Sequence, residues 1–298
     1  MAVKIGVLAS EHIAVGAVEN NKIVSPVQVF PESSGSRDSF WELHAEEIAE
    51  HIHRQISLVR QDSTVDAIGI GFPGIIRDGV VEESPNLPQM KGHNVKREIS
   101  ALLAHDGIEA MVHVLNDADA IAAGIAATRD QLDRIVRVWF LGNGVGYGRY
   151  PQAAAVGEGG HMVVTLDPKE NLCQCGGIGH LEGIMGHRAM RLRFLDMEPD
   201  EVFEQAKTGN ARCGAFVELW HRALAAATAT SIHIEGPGKF FISGPNARFV
   251  QTDMLQVYLH EMVKMSPLQG SAVEVVATSD EIAIIGAAVS AERAASVQ

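Results

Sequence analysis

The sequence predicts an α/β protein of two lobes with a ligand cleft between them, on three observations. Short β-branched runs alternate with longer stretches of helical periodicity. Both halves open rich in strands and continue as α/β structure, the pattern of a duplicated lobe. The length, 298 residues, exceeds what one hydrophobic core usually organises and suits two lobes of roughly 120 to 180 residues. The expected division is 1–118 and 119–298, with a closing helix at 280–295 free to pack back on the first lobe.

The elements follow in order. Residues 4–7 and 13–18 read as strands joined across Ala9-Ser10-Glu11, and 22–30 as a third, an antiparallel meander. Ser39 with Glu42 three residues on reads as a capping box, after which Trp41, Ala45, Ile48, Ile52, Ile56 and Val59 trace one helical face. Residues 67–72 form a buried strand ending at Pro73-Gly74, and 111–115 another that runs into Asn116-Asp117 and an Ala-rich helix at 118–127. The second lobe reads as a strand at 135–141, a Gly-rich turn at 142–148 and a strand at 161–166. Helices at 181–195, 200–207 and 212–232 follow, then strands at 240–243 and 273–277.

Composition sets the outer limits. With 46% apolar and 20% charged residues the chain is globular, outside the disordered and fibrous classes. A formal charge of −13 opposes any general nucleic-acid or anionic-membrane surface. No stretch approaches the ~20 apolar residues of a membrane span, and the first residues read as a strand with no signal peptide, so a cytoplasmic protein is expected.

Three features could carry chemistry. His161, Cys173, Cys175 and His180 have the spacing of a closed Cys2His2 zinc site, whose role would be structural because no position is left for water. The alternative is two buried thiols and two surface histidines. Asn116-Asp117 stands at a strand end, where α/β sheets present ligands, and Asp117 there is either a general base toward a substrate hydroxyl or a helix cap. The glycines of Gly142-Asn143-Gly144-Val145-Gly146-Tyr147-Gly148 bring amides to a phosphate or make a plain hairpin turn; the run lacks both Walker and Rossmann signatures.

Taken together, the segments Gly69-Ile70-Gly71-Phe72-Pro73-Gly74, Pro85-Asn86-Leu87-Pro88, Asn116-Asp117-Ala118-Asp119-Ala120, the glycine run, Glu158-Gly159-Gly160-His161 and Cys173-Gln174-Cys175-Gly176-Gly177-Ile178-Gly179-His180-Leu181-Glu182 resemble the ROK family. That family, named for repressors, open reading frames and sugar kinases, lies within the actin-like ATPase superfamily. The resemblance implies two actin-like, ribonuclease H-like lobes with a sugar in the cleft. It makes Asp117 the base that takes the proton of the attacking sugar hydroxyl, and Gly74, Asn86, Asn116, Glu158, His161 and Glu182 sugar-contacting positions beside it. His161 would place one ring nitrogen on zinc and offer the other to the sugar. Gly142, Gly144 and Gly146 would face the nucleotide. A structural zinc, Mg-ATP and a homodimer are the implied cofactors and assembly.

Two departures from the family pattern stand out. His180 occupies the place of a third cysteine, which zinc accepts. The family's opening Asp and Gly-Gly-Thr phosphate turn is replaced by Ile5-Gly6-Val7-Leu8-Ala9-Ser10-Glu11-His12, which brings a negative charge toward the phosphates. Asn143 and the proline of Ser243-Gly244-Pro245-Asn246 alter two more nucleotide-facing turns. The expected activity is transfer of the ATP γ-phosphate to a hexose or N-acetylhexosamine. The competing readings are a sugar-binding protein without phosphotransfer and an enzyme using Asp117 and Glu158 as an acid/base pair. With four residues before Ile5 and an acidic chain, a DNA partner is not expected.

Overall fold

The computed structural model describes residues 2–32, 38–61, 63–153 and 157–297. They divide into two compact units, Met1–Val136 with Gly148–Val156 and Ser279–Gln298, and Arg137–Tyr147 with Gly157–Thr278.

Unit 1 is built on β1 (Ala2–Ala9), β2 (Ile13–Glu19), β3 (Lys22–Ile23) and β4 (Gln28–Phe30), followed by α1 (Asp38–Trp41), α2 (Ala45–Arg60) and β5 (Thr64–Phe72). A hairpin, β6 (Ile75–Arg77) and β7 (Val80–Glu83), precedes α3 (Val95–His105), β8 (Met111–Asn116) and α4 (Asp117–Thr128). The sheet runs β3-β2-β1-β5-β8, with β4 also paired to β2. β1 is antiparallel to β2 and parallel to β5, which is parallel to β8. Successive side chains of a strand point to opposite faces. Ile5 and Val7 of β1 and Ile68, Ile70 and Phe72 of β5 accordingly share one core with Ile48, Ile52 and Ile56 of α2 and Ile99 and Leu103 of α3. The opposite face carries the last helix of the chain, α10 (Asp280–Val297), beside α4.

Glycine decides how closely that helix sits. A Cβ on Gly6 would lie 1.8 Å from the Ile284 carbonyl oxygen, and one on Gly69 1.9 Å from that of Ala287. Between the helices, Gly124 and Gly286 permit the same approach, since a Cβ on either would lie 1.8 Å from a facing carbonyl oxygen. The obstacle at every point is backbone, which has no rotamer to yield. Gly69→Ala is therefore expected to cost roughly 2–3 kcal/mol by overpacking, read as a lower urea midpoint at unchanged slope; an unchanged midpoint would contradict this packing.

Unit 2 holds a second sheet. Its elements are β9 (Val136–Leu141) from Arg137 on, the first half of β10 (Val145–Tyr150) as far as Tyr147, α5 (Glu182–Met185), α6 (His187–Arg193), α7 (Pro199–Lys207), α8 (Ala211–Glu235), β11 (Lys239–Ser243), α9 (Thr252–Met262) and β12 (Ala272–Val275). The strand order is β10-β9-β11-β12, with β11 and β12 parallel. Aromatic packing dominates the core, where Phe203 stacks on Phe249 at 4.2 Å and the Trp139 indole N–H donates to Thr228 Oγ1 at 3.0 Å. The fully buried Arg137 donates to the Gly236 carbonyl at 3.0 Å and pairs with Glu235, which satisfies the charge that burial would otherwise penalise.

Several sequence expectations change. The strand expected at 22–30 is two short strands, because Pro26 has no N–H and the Ser25 hydroxyl, accepting from Ala17 N at 3.0 Å, takes a ladder bond. The helix expected from Ser39 splits: α2 starts at Ala45, where the Glu47 carboxylate accepts the His44 N–H at 2.9 Å. The Ser39 side chain lies outside the described residues. Trp41, placed on the buried face, is 45% exposed. Residues 161–166 form no strand; a single antiparallel bridge, Val163 to His180, stands there. The helix expected over 181–195 breaks into α5 and α6 at Gly186, whose ψ of 143° is extended. The glycine run is turn only as far as Gly144, and Gly146 belongs to β10. The β6–β7 hairpin, α3 and α9 were not foreseen in the sequence pattern.

Candidate functional site

In unit 1 the candidate residues gather at the C-terminal edge of the parallel strands. β5 ends at Phe72 opposite Asn116 of β8, and α4 begins at once with Asp117. Asn116 is the helix cap: its Oδ1 accepts the Ala118 N–H at 2.9 Å, and its Nδ2 donates to the Gly74 carbonyl at 2.9 Å. Gly74 holds that carbonyl in place with φ +101°, a value that suits glycine. Asp119 accepts the Arg149 N–H at 2.8 Å. The capping function of this polar run therefore falls first to Asn116.

Asp117 takes an amide too, Ala118 N to Oδ1 at 2.9 Å, yet its pKa is raised to about 6. Burial of the carboxyl is the largest cause, the neighbouring amides oppose it, and the negative charge of Glu11 adds to it. Part of the residue's surface remains open while the carboxyl is ringed by protein. Such a group is ionised at neutral pH and close enough to titration to accept a proton. Glu11 projects from the β1–β2 turn. Its neighbour His12, 6% exposed, is fixed by Asp280 of α10 through Nε2 at 2.8 Å, and its Nδ1 is buried with no hydrogen-bond partner. Where the family pattern has bare glycines, this chain has a filled turn. Asn86, in the loop before Pro88, is exposed.

Unit 2 carries the second group. Nδ1 of His161 lies 3.2 Å from Cys175 Sγ and 3.9 Å from Cys173 Sγ. The two sulfurs are 3.4 Å apart, and His180 Nδ1 is 3.2 Å from Cys175 Sγ. All four donor atoms fall within 4.8 Å of one another. Bonds of ~2.0–2.3 Å in a tetrahedron give ligand separations of about 3.3–3.8 Å, so the spacing fits zinc. Burial pushes the Cys173 thiol up to about 12, the Cys175 backbone opposes it, and the Cys175 thiol and Glu182 carboxylate add to it, a penalty a dication would relieve. Burial and His161 also lower His180, favouring the neutral imidazole that binds metal. Local backbone bonds hold the loops: Val164 N donates to Gly179 O at 2.8 Å and Leu181 N to Met162 O at 2.9 Å. With Nδ1 on the cysteines, the His161 Nε2 stands outside the donor set. Glu158 is exposed just ahead of the turn at Gly159–His161.

Glu182 opens α5 directly after the knuckle. Its Oε2 accepts the Val145 N–H at 3.2 Å, and Oε1 lies 3.4 Å from Cys173 Sγ. The Gly142–Gly144 turn is tied down from two sides, since Gly142 O accepts both His187 N at 3.0 Å and Asn246 Nδ2 at 2.9 Å. The proline of Ser243-Gly244-Pro245-Asn246 fits there by opening a short 3-10 helix that places Asn246. Beside the turn is a cavity of about 610 Å³ whose lining includes Asn143, His187, Arg188, Arg191 and Glu198. The sequence reading missed Arg188 and Arg191; their signal is a basic run three residues apart following Gly186.

Fold and site together define the class, an actin-like α/β protein with a carboxylate at a strand edge and a Cys2His2 knuckle. Residues 2–294 match the ROK family, and the chain belongs to it. The glucokinase of Thermotoga maritima is 30% identical over 274 residues, 81% of each chain. That of Pyrobaculum calidifontis is 26% identical over 238 residues, 75% of this chain and 77% of the other. A ROK hexokinase from Thermus thermophilus superposes with a TM-score of 0.80 at 21% identity, covering 99% of this chain and 100% of that one.

Proposed function

We propose that this protein is a sugar kinase that transfers the γ-phosphate of Mg-ATP to a hydroxyl of a hexose, with glucose the first candidate because both curated relatives are named glucokinase. The observation that carries the reading is Asp117, a buried carboxylate raised to about 6 at the end of a parallel strand. As general base it takes the hydroxyl proton while the oxygen attacks phosphorus, and the Ala118 amide keeps its carboxyl oriented.

Asn86, Asn116, Glu158, His161 and Glu182 hold the other hydroxyls; Gly74 acts through its carbonyl bond to Asn116. Zinc on His161, Cys173, Cys175 and His180 is structural and supplies a rigid frame for the imidazole. The donor lies along Gly142 and Gly144, with its nucleoside in the cavity lined by Arg188 and Arg191. The chain works as a cytoplasmic homodimer. Among the described residues no helix is long and apolar enough to cross a membrane.

Calorimetry with glucose, mannose and N-acetylhexosamines, with and without Mg-ATP, tests the reading alongside a coupled assay for ADP and light scattering for the homodimer. Sugar phosphate and ADP should appear in equal amounts. Sugar binding without any nucleotide binding would overturn it and favour a sensor.

A further inference from the structure

Resting on that kinase reading for its functional meaning, we infer that Glu182 is a positioning residue whose carboxylate couples the sugar side of unit 2 to its donor turn by holding the Val145 amide. The geometry is specific. Oε2 accepts the Val145 N–H at 3.2 Å, a bond between the first residue of α5 and the first residue of β10, 37 positions away in sequence. The same oxygen occupies the space above Gly144, where a Cβ would stand 2.4 Å from it. Gly144 is thus small because the carboxylate passes over it.

The other end of the link is fixed by backbone. Gly183 N donates to His180 O at 3.0 Å, and a Cβ on Gly183 would meet Cys173 N at 2.9 Å. Glu182 therefore moves with the knuckle, and the Gly142–Val145 turn is bound to Glu182. A carboxylate has two oxygens and about four acceptor sites, so Oε2 can hold Val145 while Oε1, 3.4 Å from Cys173 Sγ, keeps a second acceptor site for a sugar hydroxyl. A hydroxyl donated to the carboxylate draws on the same charge that grips Val145, and the turn senses whether the sugar is present. Coupling of this kind is reciprocal: sugar changes donor affinity by the factor by which donor changes sugar affinity.

The test separates hydrogen bond from charge. Hydrogen exchange of the segment 141–147, zinc content, and calorimetry of Mg·AMPPNP with and without glucose are measured for wild type, Glu182→Gln, Glu182→Ala and Gly144→Ala. Glu182→Ala should speed exchange in 141–147 about tenfold, the loss of one net hydrogen bond of ~1–1.5 kcal/mol, and, at glucose concentrations that saturate the variant, abolish the effect of the sugar on nucleotide affinity. Glu182→Gln retains an acceptor and should keep most of the protection. Gly144→Ala should mimic Glu182→Ala by displacing the carboxylate, and it decides the matter if Glu182→Ala does not fold. Zinc should remain in every variant. Unchanged exchange at 141–147 in both Glu182→Ala and Gly144→Ala overturns the coupling. If wild type binds no nucleotide while exchange still responds to Glu182, the kinase reading fails and the link itself stands.

Discussion

Asp117→Asn is expected to lower kcat by roughly 10²- to 10⁴-fold, the range of a lost general base, while sugar affinity stays within a few fold. Asparagine is nearly isosteric and its Oδ1 can still accept the Ala118 N–H, a 2.9 Å bond in the wild type, so the strand-to-helix junction survives. The pH profile makes the assignment specific. A base with pKa about 6 leaves kcat/KM level at neutral pH and falling tenfold per unit below that value; the residual activity of the variant should lack this acid limb. Stability moves in the opposite sense to activity. The folded carboxyl is raised above its ordinary 3.8, so the folded state favours the proton. That contribution is complete below 3.8 and is lost as pH rises through about 6. At pH 8 the asparagine variant should therefore be more stable, by about 1–2 kcal/mol, less than the whole shift would give because part of the residue's surface is open. Retained turnover with the acid limb intact would remove Asp117 from the role of base.

With zinc on the quartet as proposed, Cys175→Ser should release it. Cys175 Sγ is the hub of the quartet, 3.2 Å from Nδ1 of both His161 and His180 and 3.4 Å from Cys173 Sγ. A serine hydroxyl stays protonated at neutral pH and is a poor zinc ligand. The loops at 157–181 are held by backbone bonds, by the Glu170–Arg193 ion pair and by Leu181 in the core, and the proposed metal would tie their four donors together. Loss of zinc is expected to lower the thermal midpoint by roughly 5–10 °C and to reduce kcat/KM by about 10- to 100-fold through a freed His161 ring. Metal analysis and a melting curve check both. One zinc per chain in the serine variant would show that the quartet is not the site.

The legible part of the molecule was the part whose chemistry is local in sequence. Asn116-Asp117 follows its strand without a break, and the four knuckle residues fall within twenty positions, so spacing alone brings each group together. Resemblance to the family then assigned roles that neither spacing nor composition contains. What escaped depends on distant partners. The His12–Asp280 pair joins residues 268 apart, and the Glu182–Val145 bond joins two motifs that read as independent. Residues 161–166 have the composition of a strand, but no neighbouring strand covers Val163 and Leu166, which are 58% and 89% exposed. β propensity describes a side chain that fits a half-buried sheet, and it fails where no sheet is supplied.

The seat of α10 has a consequence for how the protein is made. Its carbonyls rest on the glycines of β1 and β5, strands finished by residue 72, whereas the helix itself is residues 280–297. On a ribosome adding ~5–20 residues per second, the first sheet, whose last strand β8 ends at Asn116, waits with the part of its face beneath α10 open for at least about eight seconds. All of unit 2 is synthesised in that interval. The second unit can thus complete its fold before the first, and a chain cut short after Thr278 would leave Leu8, Ala14 and Val18 uncovered by Ile284, Ala288 and Val289. Such an intermediate presents the kind of surface that chaperones hold.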